Sequence, residues 1–112
     1  MKRVLVVQAT RHQADISPAR AYGDITFVLT SADRTSADYE STMAKLRAML
    51  RNFDPDNDYI LWSGGDPLSL MLLGALMRDH NFYTFTYLRY EKPDARNPQS
   101  APFYVPVTVT LD

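Results

Sequence analysis

Cysteine is absent from the 112 residues of the chain, which excludes disulfides, thiolate zinc sites, iron–sulfur clusters and cysteine nucleophiles. A surplus of either charge is also absent, because 12 Lys and Arg oppose 13 Asp and Glu. The chain therefore lacks the basic excess of a protein that binds DNA electrostatically. Apolar runs long enough to span a bilayer are missing, and so is the h-region of a signal peptide. We expect a cytoplasmic protein without membrane attachment.

Apolar residues make up 46% of the chain, which is enough for one globular core and one domain, residues 1–112. Five segments have the composition of β-strands: residues 3–9, 24–30, 59–62, 82–90 and 103–111. The first and third are short apolar runs, which predict strands buried on both faces. Proline cannot donate a hydrogen bond to a neighbouring strand, so Pro106 predicts that the last strand lies at the edge of the sheet.

Two segments have helical periodicity. Residues 37–53 carry one apolar stripe, and we expect Thr35 or Ser36 to cap the amino-terminal end of this helix. Residues 66–80 follow a glycine turn, and Asp66 is the expected cap. Apolar side chains cover most of the circumference of this second helix, more than so small a core needs. We therefore expect a homodimer.

The order of elements is β-β-α-β-α-β-β. It predicts a small, layered, single-domain α/β fold with a mixed sheet that ends in an antiparallel hairpin. Residues 91–102, which include Pro93, Pro98 and Pro102, form the long loop of that hairpin. The polar segment 10–23 connects the first two strands, and Ile16 and Tyr22 are its expected anchors to the core.

A candidate ligand site lies where a buried strand leads through a glycine turn into a helix. Backbone N–H groups and the positive end of a helix suit anions such as nucleotide phosphates. If the first and third strands are parallel neighbours, the residues that follow both strands meet at one end of the sheet. The candidate ligand-binding residues are Thr10, Arg11, His12, Ser63, Gly64, Gly65 and Asp66.

This turn has simpler interpretations. Asp66 can act simply as a helix cap without any role in ligand binding, and residues 10–13 can form an ordinary solvated loop. The P-loop lysine and the third glycine of a Rossmann fingerprint are missing. An acid–base pair of His12 and Asp66 would suit a hydrolase or transferase, but no catalytic motif is complete, and we assign no catalytic residue.

Neither a metal nor a cofactor is expected. Asp54, Asp56 and Asp58 have the spacing that opens a calcium loop, but the glycine and the bidentate glutamate that such a loop needs do not follow. We interpret residues 54–58 as a solvated acidic turn. His80 ends the second helix, where a cation complements the helix dipole.

The fourth strand is rich in aromatic residues. A protein-binding surface is one interpretation, because tyrosine and arginine are enriched at interfaces. The candidate protein-binding residues are Tyr83, Phe85, Tyr87, Arg89 and Tyr90. Packing against a helix is the alternative. Stacking on nucleic-acid bases is disfavoured, because the βαββαβ order and the glycine-rich motif of RNA-recognition sheets are absent.

The chain resembles small α/β proteins encoded by tailed phages and prophages. The resemblance rests on short stretches in the same order: residues 15–19, 21–25, 58–61, 65–67, 88–90 and 104–109. The loop of the last hairpin is longer here than in those proteins. The resemblance implies a cytoplasmic, phage-encoded protein in a bacterial host, and it implies no activity for any residue.

From these observations we expect an accessory protein that acts by binding a host or phage protein, without catalysis. The alternative is a small-ligand protein that binds a nucleotide or another anion at the Ser-Gly-Gly-Asp-Pro turn, residues 63–67.

Overall fold

In a computed structural model, the protein consists of a five-stranded mixed sheet and two α-helices. The structure describes residues 2–9, 16–91, 96 and 103–111. In chain order the elements are β1 (Arg3–Gln8), a 3₁₀ helix (Ser17–Tyr22), β2 (Asp24–Leu29), α1 (Tyr39–Leu50), β3 (Asp58–Leu61), α2 (Pro67–Asp79), β4 (Thr84–Glu91) and β5 (Phe103–Thr110). The order of strands in the sheet is β2-β1-β3-β4-β5. β1 to β4 are parallel neighbours, and β5 pairs antiparallel with β4. The predicted α/β class, element order and carboxyl-terminal hairpin are confirmed.

β1 occupies the centre of the core. It pairs with β2 on one side and β3 on the other, and the exposed fraction of each of its four central side chains, residues 4–7, is at most 1%. Leu5 and Val7 pack with the cluster of buried side chains contributed by α1 and α2, whereas Val4 and Val6 pack with the opposite cluster. The prediction that this apolar run is buried on both faces is confirmed.

The 3₁₀ helix covers the sheet face opposite the α-helices. Ile16 and Ala19 are buried there against the same cluster as Val4 and Val6. Tyr22 donates a hydrogen bond from its hydroxyl to the carbonyl oxygen of Tyr104 on β5, at 2.7 Å. Ile16 and Tyr22 therefore anchor the connection between β1 and β2, as predicted.

The amino-terminal end of α1 differs from the prediction. The cap is Asp38, whose Oδ1 accepts a hydrogen bond from the backbone N–H of Ser41 at 3.2 Å. Neither of the two predicted residues caps α1, because the side chains of both have other hydrogen-bond partners. Thr35 is buried, and its Oγ1 accepts a hydrogen bond from Thr42, whereas Ser36 donates to Asp66 at the start of α2.

The acidic turn before β3 also differs from the prediction. Asp58 is not solvated but only 2% exposed, and it begins β3. Arg3 donates to both of its carboxylate oxygens, at 3.0 Å and 2.7 Å. The second oxygen also accepts a hydrogen bond from the backbone N–H of Asp54 at 2.8 Å. Because the pairing of β1 with β3 places Arg3 beside Asp58, the carboxylate is buried as one half of an ion pair.

At the other side of the sheet, β5 is an edge strand that carries Pro106, as predicted. Apart from Glu91 and Arg96, the predicted loop 91–102 lies outside the described residues. Within the described part of the chain, no helix combines the length and the apolar character needed to cross a membrane.

Candidate functional site

The candidate site lies at the carboxyl ends of β1 and β3. β1 is connected to β2 on one side, and the chain then returns to β3 on the other side, so the direction of winding reverses between β1 and β3. In open α/β sheets, ligands bind in the crevice outside the strand ends at such a switch point. The parallel pairing of β1 and β3 confirms the condition from which the site was predicted. Ser63, Gly64, Gly65 and Asp66 all lie in the turn that leaves β3 at this point.

The other predicted ligand-binding residues, Thr10, Arg11 and His12, lie outside the described residues. The site is therefore built here from the turn that follows β3 and from the side chains around it.

Gln8, the last residue of β1, holds this turn in place. Its buried side chain accepts a hydrogen bond from the backbone N–H of Asp66 at 3.2 Å. Its amide nitrogen donates to the carbonyl oxygens of Asp33 at 2.9 Å and Thr30 at 3.3 Å. One side chain thus ties together the segments that follow β2 and β3.

The turn passes so close to Gln8 that only glycine fits. Gly65 has φ +110°, a conformation that residues with a Cβ rarely adopt. A Cβ at this position would overlap Oε1 of Gln8 and would lie 2.9 Å from its Cδ. The predicted glycine turn therefore has a steric cause, namely the close approach of backbone to a buried amide.

Asp66 caps α2, as predicted. Its Oδ1 accepts a hydrogen bond from the backbone N–H of Leu68 at 3.0 Å, and its Oδ2 accepts from the backbone N–H and the hydroxyl of Ser36. These hydrogen bonds, that of the Ser36 hydroxyl above all, lower the pKa of the Asp66 carboxyl. The cap is therefore ionised at neutral pH, and it places a negative charge at the end of the helix where an anion would bind.

A pH titration tests this cap. Because the pKa of Asp66 is lower in the fold than in the unfolded chain, the stability that it contributes is fully present above the unfolded pKa of about 3.9. That stability is lost as the pH falls through the folded pKa. We expect Asp66→Asn to unfold more easily at neutral pH and to lose less stability than the wild type between pH 5 and pH 2, as measured by urea unfolding. Identical pH profiles for the two proteins would contradict the assignment.

Beside the turn is a cavity of about 380 Å³. The described residues that line it are Ile16, Trp62, Ser63, Gly64, Tyr90 and Tyr104. The rings of Tyr90 and Tyr104 meet edge to face, with centroids 5.8 Å apart. The lining is therefore aromatic and apolar along most of its length, and the glycine turn contributes backbone to it.

One polar atom in this lining stands out. Oγ of Ser63 is buried, and it has no hydrogen-bond partner among the residues that the structure describes. Buried hydroxyl groups in folded proteins are nearly always hydrogen-bonded. Because this oxygen is itself inaccessible, the Ser63 side chain would have to turn toward the cavity before it could bond a ligand there.

The aromatic residues of β4 do not form one exposed surface. Phe85 and Tyr87 are half-buried against the cluster beneath the α-helices, and Arg89 pairs with Glu91 at 2.6 Å. Tyr83 precedes the strand and is 40% exposed, whereas Tyr90 contacts Tyr104 in the cavity lining. Protein binding by these five residues stays a prediction.

Five residues of the site were not among the predicted ligand-binding residues: Gln8, Ile16, Trp62, Tyr90 and Tyr104. A polar residue that ends a fully apolar strand was a usable signal for Gln8. Tyr104 comes from the far end of the chain and had no local signal. The described residues include no group of His, Asp or Glu side chains that could hold a metal ion.

Comparison with known proteins identifies the family of the chain. Neither the curated proteins nor the solved structures include a significant match to this chain. Residues 2–109, nearly the whole chain, match the family described as Phage Pam3 gp32-like protein. This match confirms the resemblance to small phage-encoded proteins that the sequence indicated. The chain therefore belongs to the Phage Pam3 gp32-like protein family.

Proposed function

We propose that this phage protein binds a small ligand with a flat aromatic ring, of nucleobase or nucleoside type, in the cavity beside the turn after β3. The observation that carries the proposal is the aromatic cavity beside the turn that leaves β3, whose lining includes Ser63 with its unpartnered hydroxyl. Ligand sites in proteins are typically concave and mostly apolar, with a few placed polar groups.

The lining favours a ligand with a planar aromatic ring over an apolar ligand without one. Trp62, Tyr90 and Tyr104 offer aromatic faces and edges, against which a planar ring gains stacking energy. A nucleobase also carries donors and acceptors at its edge, and the hydroxyl of Ser63 can serve either as donor or as acceptor. The volume of about 380 Å³ is within the range of small-molecule sites.

A bare phosphate suits this site less well. The amino-terminal end of α2 is capped by the ionised carboxylate of Asp66, which accepts the N–H of Leu68 that an anion would otherwise use. From the sequence we expected a nucleotide or another anion at this turn; the capped helix and the aromatic lining support binding through a ring rather than through an anionic group alone.

Binding of a host or phage protein, the other expectation from the sequence, stays a prediction. It rested on the aromatic residues of β4 and on the neighbouring proline-containing loop 91–102, most of which lies outside the described residues. Capture of one stoichiometric partner by the full chain, lost when residues 91–100 are deleted, would support it. We assign no catalytic role to any residue.

The single tryptophan of the chain provides a direct test, because Trp62 lines the cavity. We expect nucleobases or nucleosides to change the emission of Trp62 in a saturable way. At a ligand concentration about 100 times the Kd, binding should also raise the free energy of unfolding by about 2.7 kcal/mol. Inorganic phosphate should do neither.

Two matched tyrosine variants locate the binding. Tyr90→Leu removes a ring from the cavity and should weaken binding about tenfold, since stacking on an aromatic side chain contributes about 1–3 kcal/mol. Tyr39→Leu removes an exposed ring from α1 that is 54% accessible and does not line the cavity, and it should leave affinity unchanged. Equal effects of the two variants, or no response of Trp62 to any ring compound, would overturn the proposal.

A further inference from the structure

The outward face of α2 is apolar, which is unusual for a helix face that contacts solvent. Five exposed, uncharged residues follow one another along this face: Pro67, Leu70, Met71, Gly74 and Ala75. Arg78 ends the row. Met71 is 70% exposed and Leu70 is 39% exposed. The neighbouring helix α1, in the same layer, instead exposes Glu40, Lys45 and Arg47. The contrast between two helices in one layer indicates that a partner covers α2.

This row has a shape that fits a second copy of itself. Met71 projects into solvent, whereas Gly74 has nothing within 4 Å of the position that a Cβ would occupy. When two copies of α2 run antiparallel with Met71 opposite Gly74, Leu70 also comes opposite Ala75, and Pro67 opposite Arg78. Each large side chain then faces a small one. Such reciprocal pairing is what a twofold interface requires, because every contact occurs twice.

The charges at the two ends of α2 agree with the same arrangement. Antiparallel helices bring the positive end of one dipole beside the negative end of the other. In this register Arg78, near the carboxyl end, comes close to the cap Asp66 of the partner helix, but Asp79 lies directly opposite that cap, so the attraction between the helix ends rests on the dipoles rather than on a net ion pair. A parallel arrangement would instead place the two arginines together.

We propose that α2 packs antiparallel against α2 of a second copy of this chain, with the twofold axis between Met71 and Gly74. The helix is about 20 Å long, so its face alone offers less than the roughly 800 Å² per partner of a standard interface. The dimer should therefore be reversible and should dissociate on dilution. None of the described residues that line the ligand cavity belongs to α2, so dimerisation and ligand binding can be tested separately.

Sedimentation of the full chain over a range of concentrations up to about 1 mM tests the proposal. We expect the wild type to shift from monomer to dimer mass as concentration rises. Met71→Glu places a charge in the row and should stay monomeric. Tyr39→Glu places the same charge at an exposed aromatic position on α1, and should dimerise like the wild type. A wild type that stays monomeric at all concentrations would overturn the proposal.

A second variant separates loss of the interface from loss of the fold. Gly74→Leu fills the open space opposite Met71 of the partner and should remain monomeric. Because that space is empty in the single chain and leucine is a good helix former, its thermal unfolding temperature should not fall. If Gly74→Leu and Met71→Glu both dimerise normally, another surface is responsible and the assignment to α2 is wrong.

The register has its own test, since the chain contains no other cysteine. Mixing Met71→Cys and Gly74→Cys chains under oxidising conditions should give mainly the mixed disulfide. Preferential cross-linking of Gly74→Cys chains to each other would contradict the antiparallel register.

Discussion

Replacing Asp58 with alanine is expected to lower the free energy of unfolding by about 2–3 kcal/mol, as measured by urea unfolding monitored by circular dichroism. The carboxylate is 2% exposed, and it accepts hydrogen bonds from two nitrogens of the Arg3 guanidinium and from the backbone N–H of Asp54. Its removal leaves the N–H of Asp54 without this partner and a guanidinium without its counter-charge. The effect should be below that of a fully buried pair, because the Arg3 side chain is 31% exposed.

Asp56→Ala is the matched control in the same turn. Its side chain is exposed, and we expect a change within about 0.5 kcal/mol. If the two aspartates had similar effects, the contribution would come from the charge of the turn as a whole and not from the ion pair.

Gly65→Ala is the second change with a large expected effect. The added methyl group would occupy the position of the Gln8 amide, and the backbone conformation at φ +110° is strained for any residue with a Cβ. We expect a loss of about 2–4 kcal/mol in the free energy of unfolding. Because Gln8 also holds the segment after β2, the cavity should lose its shape, and the response of Trp62 to ligand should disappear even where the variant is folded.

Gly74→Ala is the corresponding control, because it adds the same methyl group at another glycine of the chain. Gly74 lies within α2, with open space where the methyl group would go. In dilute solution we expect this change to raise the free energy of unfolding by about 0.5–1 kcal/mol, from helix propensity alone. Similar destabilisation by both alanines would show that contact with Gln8 is not the reason for glycine at position 65.

Features set by local signals could be predicted from the sequence. The apolar run of β1 and the order of elements followed from periodicity, and the Asp66 cap followed from an aspartate before a proline at a helix start. The glycine turn could be placed at the switch point because parallel strands align their carboxyl ends.

Features that depend on partners far along the chain could not be predicted. Asp58 is buried because Arg3, 55 positions away, lies beside it in the sheet. Ser36 does not cap α1 because it donates to Asp66, 30 positions away. The cavity combines Ile16, Trp62 and Tyr104 from three distant segments. Each of these contacts requires the assembled sheet, which periodicity along the chain does not specify.

The central position of β1 has a consequence for biosynthesis. β1 is translated before both of its neighbours, yet its four central side chains are the most completely buried run in the core. At about 5–20 residues per second, the ribosome needs several seconds to add β3 after β1. During that interval the apolar run of β1 has only β2 to pair with. The nascent chain therefore carries an apolar segment with one unpaired strand edge until β3 emerges. To stay soluble, it depends on fast docking of β3 or on the chaperones of the cell in which it is translated.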